Sequence, residues 1–145
     1  MATKKTHAPK GVKFIAHEMM GGGYHPFITV TVEGVKCRFL IDTGASKSVI
    51  DKAFYESKLG RKLKVIKQET TGLHSTVMES YVGKLKSMDI GALKISNYEI
   101  AAVDLNHVNG TYQKMKIKKI HGILGSDVFK NHNAIIDYAQ SKLFL

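Results

Sequence analysis

The chain has 145 residues and a formal net charge of +10, because 22 Lys and Arg residues stand against 12 Asp and Glu residues. This length predicts one domain, and the ordinary content of 43% hydrophobic and 23% charged residues argues against a disordered chain. The single cysteine, Cys37, excludes an internal disulfide and a Cys-x-x-Cys metal or redox motif. We expect a cytoplasmic protein with no membrane span, since the sequence has no long apolar run and its basic N-terminus precedes no apolar stretch.

The positive charge raises nucleic-acid binding as a first hypothesis. Arg38 and Arg61 are the only arginines, whereas proteins that read phosphates and guanines specifically rely on the bidentate fork of Arg. In one basic cluster, Lys114, Lys116 and Lys118 alternate with other residues, which predicts one solvated face of a strand. A basic nucleic-acid-binding β domain therefore stays open as an alternative, but nucleic acid is not an expected partner.

The sequence predicts a mainly β fold in a single domain over residues 11–145, after a frayed basic segment over 1–10. The predicted strands, in chain order, are 12–16, 27–32, 35–41, several between 62 and 103 with breaks at Gly72, Gly83 and Gly91, then 115–120, 134–137 and 143–145. Between the second and third of these strands, Glu33-Gly34 predicts a tight hairpin.

One or two short helices complete the predicted fold. The first covers 51–59, with Asp51 as its cap and Gly60 at its end. The second covers 126–132, with Ser126 as its cap. The segment 104–111, which is rich in Asn, His and Gly, is expected to be a loop.

The segment that carries chemistry is Phe39-Leu40-Ile41-Asp42-Thr43-Gly44-Ala45-Ser46. An acidic residue at the end of an apolar strand is costly, because its carboxylate must be satisfied by nearby donors. The backbone N–H groups after Asp42 and the hydroxyl of Ser46 can supply them, and Gly44 lets another backbone or a substrate approach closely. The plain structural alternative is a turn that Asp42 caps through an Asx hydrogen bond.

This segment resembles the active-site motif of the retropepsin-like aspartic proteases, in which two hydrophobic residues precede Asp-Thr-Gly-Ala-Ser. The second motif of that family, two hydrophobic residues before a glycine, resembles Ile123-Leu124-Gly125. The short helix and closing strand that follow look like the bacterial and retroelement branch, the gag-polyprotein-type aspartyl proteases. That branch often has an Asp two residues past the glycine, as Asp127 is here. The resemblance spans residues 27–145.

The resemblance implies a closed acid-protease barrel and an aspartic endopeptidase without a cofactor. It also implies a symmetric homodimer, and the chemistry agrees, because metal-free aspartic proteolysis needs two carboxylates that share a proton and the chain has one Asp-Thr-Gly. The implied catalytic residues are Asp42, Thr43 and Gly44. The implied substrate-binding residues are Ala45, Ser46, Gly72, Leu73 and His74, and the residues implied to support the site are Ile123, Leu124 and Gly125.

A flap, which is a lid over the cleft, is expected over 70–76, where Gly72 lies between two strand-like runs. The glycine-rich tip of the retroviral flaps is absent from this segment. No metal site is expected, because the histidines share no ligand spacing. Asp127 is expected to cap or tie down the second helix, and Cys37 to lie in the core.

The leading hypothesis is an endopeptidase that cleaves extended polypeptide segments with apolar side chains near the scissile bond. Its expected partners are a second copy of the chain and a polypeptide substrate. The alternative from another class is a catalytically silent, dimeric peptide-binding module with the same fold. The intact Asp42-Thr43-Gly44 favours the enzyme, because a silent module would not need the acid.

Overall fold

The computed structural model describes residues 10–67 and 79–145. Its strands are β1 (Val12–Lys13), β2 (Ile15–Glu18), β3 (Tyr24–Val32), β4 (Val35–Ile41), β5 (Val49–Asp51), β6 (Lys64–Lys67), β7 (Glu79–Ile90), β8 (Leu93–Val103), β9 (Gly122–Leu124), β10 (Ile135–Asp137) and β11 (Lys142–Phe144). Its helices are α1 (Lys52–Lys58), α2 (Asn106–Lys114) and α3 (Ser126–Asn131). None of these helices has the length and apolar character needed to cross a bilayer.

Six strands close into a barrel in the order β3-β4-β9-β5-β8-β7, because β7 pairs back onto β3. Two neighbouring pairs, β4 with β9 and β5 with β8, are parallel, and the other pairs are antiparallel. Strands β2 and β6 extend this sheet, and β1, β11 and β10 form a separate small one. The predicted mainly β, closed-barrel fold is confirmed.

The barrel is filled by one large apolar cluster. In β4, alternate residues Cys37, Phe39 and Ile41 are buried, as the period of two in a strand requires. Side chains with almost no exposed surface meet them from β5, β7, β8 and β9, including Ile50, Leu85, Met88, Ile100 and Leu124. This packing fixes the position of the end of β4, which leads directly into Asp42.

Local rules explain the hairpin and the first helix. Glu33 and Gly34 both have positive φ, +46° and +82°, which matches the right-handed strand twist in a two-residue turn. Asp51 caps α1 by accepting the N–H of Phe54 at 3.1 Å. Gly60 follows the helix with φ +64°, a conformation that a side chain would disfavour. The predicted turn, cap and stop are therefore confirmed.

Two predicted elements between β8 and β9 are wrong. Most of the expected loop over 104–111 lies in α2, and the expected strand over 115–120 is irregular, with Lys116 at φ +59°. The predicted solvated strand face of Lys114, Lys116 and Lys118 therefore does not exist. Burial of apolar side chains overrides the local preference for a loop and a strand here. Tyr112, Ile117 and Ile120 of this segment pack with Phe27 and Leu105 in a second core cluster.

Three smaller differences concern helix number, a cap and a glycine. The described residues hold three helices, where one or two were expected. Gly125, not Ser126, occupies the N-cap position of α3. Gly83 lies inside β7 rather than at a break, because the ring of Tyr55 occupies the space of a side chain there: a Cβ would lie 2.6 Å from that ring. Gly91 ends β7 in a turn with φ +58°, as predicted.

Candidate active site

Asp42 directly follows β4, and its position is set by a parallel neighbour. The backbone N–H of Asp42 donates to the carbonyl of Leu124 at 2.9 Å, which continues the β4–β9 ladder by one step. On its other side β9 pairs with β5, the strand to which the loop after Asp42 returns. The loop over 42–48 therefore leaves and re-enters the sheet on either side of β9.

The loop after Asp42 is held by its own backbone. Gly44 donates its N–H to Oδ1 of Asp42 at 2.9 Å, and Ala45 donates its N–H to the Asp42 carbonyl at 3.1 Å. The half-buried carboxylate of Asp42 thus receives one of the backbone donors that the sequence suggested. Ser46 is exposed, and its hydroxyl makes no hydrogen bond to the described residues.

The second motif, Ile123-Leu124-Gly125, lies against this loop. Leu124 is fully buried and Ile123 is half-buried. A Cβ on Gly125 would lie 2.5 Å from the carbonyl oxygen of Ala45, so only glycine allows this approach. The N–H of Ser126 donates to that same carbonyl at 2.7 Å. The residues expected to support the site therefore touch the loop through backbone contacts rather than side-chain packing alone.

A buried polar network ties the end of the loop to α3, and sequence reasoning missed most of it. Ser48 is 1% exposed, and its hydroxyl donates to Oδ1 of Asp127 at 2.7 Å. The same hydroxyl accepts the N–H of Gly125 at 2.8 Å. Tyr98 of β8 donates its hydroxyl to Oδ2 of Asp127. Only the role of Asp127 in tying down α3 was expected from its place after the glycine.

The hydrogen bonds of this network keep Asp127 ionised. Burial by itself would raise the pKa of Asp127, but the donors Tyr98 and Ser48, with the N–H of Val128, together hold that pKa below its ordinary value. Burial and the neighbouring carboxylate raise the pKa of Tyr98, so its hydroxyl stays a donor. The network therefore keeps its protons near neutral pH and holds the end of the loop against α3.

Asp42 and Thr43 open onto a cleft of about 480 Å³. Most of its wall comes from β3, the end of β4 and the C-terminal segment, and its lining is partly apolar. The residues that line it with Asp42 and Thr43 are Tyr24, His25, Pro26, Leu40, Ile41, Ile136 and Tyr138. Asp42 is the one carboxylate among them. A volume of this size accommodates a side chain and part of a backbone.

Helix α2, which the sequence did not predict, approaches this cleft through Tyr112. Tyr112 is 2% exposed, and its hydroxyl lies 2.8 Å from Nδ1 of His25 in the cleft wall. Burial raises the pKa of Tyr112, and the negative charge of Asp42 raises it further, whereas Arg38 lowers it. Asp42 therefore acts electrostatically on α2, and the helix braces one wall of the cleft.

Three of the predicted substrate-binding residues, Gly72, Leu73 and His74, lie outside the described residues, as does the whole expected flap over 70–76. The strands that lead into and out of it, β6 and β7, pair antiparallel as far as Lys67 and Glu79.

Metal-binding and thiol chemistry have no support in the described part of the chain. No group of three or more His, Cys, Asp or Glu side chains lies close enough within 10–67 and 79–145 to hold a metal ion. Cys37 is buried in the barrel, and burial raises the pKa of its thiol to about 11. A neutral, enclosed thiol is a packing group and a poor nucleophile.

A sequence model described as aspartyl protease matches residues 28–128, which include Asp42-Thr43-Gly44 and Ile123-Leu124-Gly125. The chain belongs to this aspartyl protease family. Its fold is similar to that of a retropepsin-like aspartic protease from Rickettsia conorii, with a TM-score of 0.58 and 21% identity over 96% of both chains. The family resemblance read from the two motifs is confirmed.

Two further solved structures share the fold of this aspartyl protease. The retroviral protease-like domain of Ddi1 from Leishmania major has a TM-score of 0.55 and 18% identity, over 82% of this chain and 86% of that one. The EIAV protease, solved in complex with the inhibitor HBY-793, has a TM-score of 0.53 and 17% identity, over 85% of this chain and 99% of that one. The retropepsin-like barrel is thus common to these proteins.

Proposed function

We propose that this family member is an active endopeptidase, a homodimer that hydrolyses peptide bonds in extended, apolar polypeptide segments. The observation that carries the proposal is Asp42 itself, a half-buried carboxylate at the end of β4 that faces an open cleft. The loop that holds it is fixed from below by Gly125 and by the Ser48–Asp127 pair. A turn-capping Asp would not need this support or this access.

The homodimer supplies the second carboxylate of the reaction. Asp42 is the one acidic residue among the described residues that line the cleft. A twofold axis beside the loop brings two copies of Asp42 together. Because like charges at short distance do not both ionise, the pair holds one proton, and one carboxylate acts as base toward water while the other acts as acid.

The neighbours of Asp42 have distinct roles in this proposal. Thr43 is exposed beside the carboxylate and lies free to brace the loop of the partner copy. Gly44 donates its N–H to the carboxylate at 2.9 Å and so orients it. Ala45 leaves room for the substrate backbone, and Ser46 presents an exposed hydroxyl to it.

The proposed substrate is an extended segment with apolar side chains. Leu40, Ile41, Pro26 and Ile136 give the cleft beside Asp42 an apolar wall. The proposed lid is the segment around Gly72, Leu73 and His74, which follows β6 and precedes β7 in the chain. We place the enzyme in the cytoplasm, in keeping with a single buried thiol and no disulfide.

The test compares wild type with Asp42→Asn on a mixed peptide library between about pH 4 and about pH 7, with oligomeric state recorded by sedimentation. Asn keeps an acceptor for the N–H of Gly44, so the loop is expected to hold its shape. The matched control is Asp104→Asn, because Asp104 also accepts an N–H two residues later, from Asn106, but lies exposed outside the cleft.

We expect the wild type and Asp104→Asn to cleave peptides, and Asp42→Asn to form the same dimer without cleavage. Equal cleavage by Asp42→Asn and wild type would show that another group, or a contaminant, performs the reaction. Peptide binding by wild type without cleavage would favour the silent module instead. A chain that stays monomeric at every concentration and pH would contradict the shared active site.

A further inference from the structure

A second cavity, of about 450 Å³, lies on the barrel away from the cleft at Asp42. It is bounded by the start of β4, by α1, by the beginning of α2 and by the segment before β9. No lining residue is shared between the two cavities. His121, one of its lining residues, lies three residues before Leu124, whose carbonyl accepts the N–H of Asp42.

Three lysines from three different elements surround this cavity. Lys36 comes from β4, Lys58 from the last turn of α1 and Lys119 from the segment before β9. The one acidic residue in the lining is Asp51, and backbone donors already occupy both of its oxygens. Oδ2 accepts the N–H of Phe54, and Oδ1 accepts the N–H of Leu105, each at 3.1 Å. The cavity thus carries an excess of positive charge.

One of the lining residues, His121, offers a pre-oriented donor at Nε2. The N–H of Arg38 donates to Nδ1 of His121 at 3.1 Å. Because that nitrogen accepts, the ring is neutral and Nε2 carries its proton. Burial and the charge of Lys119 lower the pKa of His121 and outweigh the opposing charge of Asp51, in agreement with a neutral ring. Phe54 packs against the ring with centroids 5.0 Å apart, which fixes its orientation.

The side-chain oxygen of Asn109, like those of Asp51, is already paired. The amide of Asn109 donates to the carbonyl of Ile120 at 3.0 Å, and its oxygen accepts the N–H of Ile120 at 2.8 Å. Charged and neutral donors predominate among the other lining groups: three ammonium groups and Nε2–H of His121, beside the exposed hydroxyl of Ser57 and the amide of Asn106, which can each donate or accept. Such a set matches a ligand group with several acceptor oxygens and negative charge.

We propose that this cavity binds the phosphate group of a small organic phosphate monoester, held by Lys36, Lys58 and Lys119 and by Nε2 of His121. Phosphate offers acceptor oxygens and charge at once, and the cavity volume leaves room for an attached organic group. Val35, Phe54 and Ile120 form an apolar side of the cavity for that group. The site does not depend on protease activity, so it is tested by binding alone.

The experiment follows the ring nitrogens of His121 by NMR while phenyl phosphate, inorganic phosphate or sodium chloride is added at matched ionic strength. We expect phenyl phosphate to shift the His121 signals in a saturating way and to bind more tightly than inorganic phosphate. Lys119→Gln is expected to weaken binding by about tenfold through loss of a charge-assisted contact. The control is Lys94→Gln, which removes the same charge beside Asp89, outside the cavity.

A second variant separates His121 from general charge. His121→Asn keeps an acceptor for the N–H of Arg38 but removes Nε2–H, and we expect it to weaken phenyl phosphate binding, as read from the backbone signals of Lys119. Equal weakening by Lys119→Gln and Lys94→Gln would overturn the proposal in favour of nonspecific charge attraction. So would shifts that do not saturate, binding of inorganic phosphate alone, or tighter binding of an oligoglutamate peptide, which would indicate an acidic protein partner.

Discussion

The hydroxyl of Ser48 donates to Oδ1 of Asp127 at 2.7 Å and joins two parts of the chain that are 79 residues apart. Ser48 ends the loop that begins at Asp42, and Asp127 lies in the first turn of α3. The N–H of Gly125 donates to the same serine hydroxyl. One buried side chain therefore links the loop of Asp42-Thr43-Gly44 to the second family motif, and its loss is expected to affect both.

Ser48→Ala is expected to lower the free energy of unfolding by about 1–3 kcal/mol, because the buried N–H of Gly125 would lose its acceptor. Urea denaturation measures this difference. Ser46→Ala is the matched control, since Ser46 is exposed and lies in the same loop, and it should change stability by less than about 0.5 kcal/mol. Equal effects of the two variants would contradict a stabilising role for the network.

Asp127 should make the protein sensitive to acid. Its folded pKa lies below the ordinary value of 3.8, so its stabilising contribution is present above that pH. As pH falls below it toward the folded pKa, the unfolded chain takes up the proton first and the contribution is lost. Asp127→Asn should therefore flatten the acid side of the stability curve, measured by urea denaturation at several pH values. An unchanged acid slope relative to wild type and Asp104→Asn would contradict this.

Local patterns predicted β4, its hairpin and α1 closely, because these elements depend on neighbours in sequence. The period of two in Cys37, Phe39 and Ile41 fixes the buried face of β4, and Asp51 needs only Phe54 three residues away to cap α1. The Asp42 turn is equally local, since Gly44 supplies its donor. What could be predicted of the candidate site is therefore the motif and its own loop.

Contacts between distant segments could not be predicted in this way. The segment 106–114 contains Asn and Gly, which favour loops, yet it is helical where Tyr112 packs on Phe27 with ring centroids 5.4 Å apart. Ser48 gave no signal either, because its partner Asp127 meets it only in the folded barrel. Both features depend on contacts between residues that are far apart in the sequence, which local patterns do not encode.

Replacing either of two glycines by alanine should change the free energy of unfolding, but in opposite directions. A Cβ on Gly125 would lie 2.5 Å from the Ala45 carbonyl, so Gly125→Ala should lower the free energy of unfolding by about 1–3 kcal/mol. A Cβ on Gly110, inside α2, would meet nothing within 4 Å, and Gly110→Ala should raise it by about 0.5–1 kcal/mol. Thermal and urea unfolding of both variants check the pair. A stable Gly125→Ala protein would show that the loop does not need this close approach.

Tyr112→Phe should alter substrate binding more than the chemical step, if the proposed protease activity holds. Phe keeps the packing on Phe27 but removes the hydroxyl that lies 2.8 Å from Nδ1 of His25, a residue of the cleft wall. We expect KM to rise severalfold with kcat little changed, because Asp42 keeps its own loop contacts. Asp104→Asn, an exposed change outside the cleft, should leave both constants unchanged. A fall in kcat alone would contradict a role for Tyr112 in holding the wall.

The proposed dimer should become tighter as salt is added. Each chain carries a formal charge of +10, so two copies repel one another, and the repulsion is screened over about 10 Å at about 0.1 M salt. Sedimentation equilibrium at about 50 mM and about 500 mM sodium chloride should give a lower dissociation constant at the higher salt. A neutral osmolyte at matched osmolality is the control and should have no such effect. A dissociation constant that rises with salt would instead mean that attractive ion pairs, and not apolar contacts, hold the two copies together.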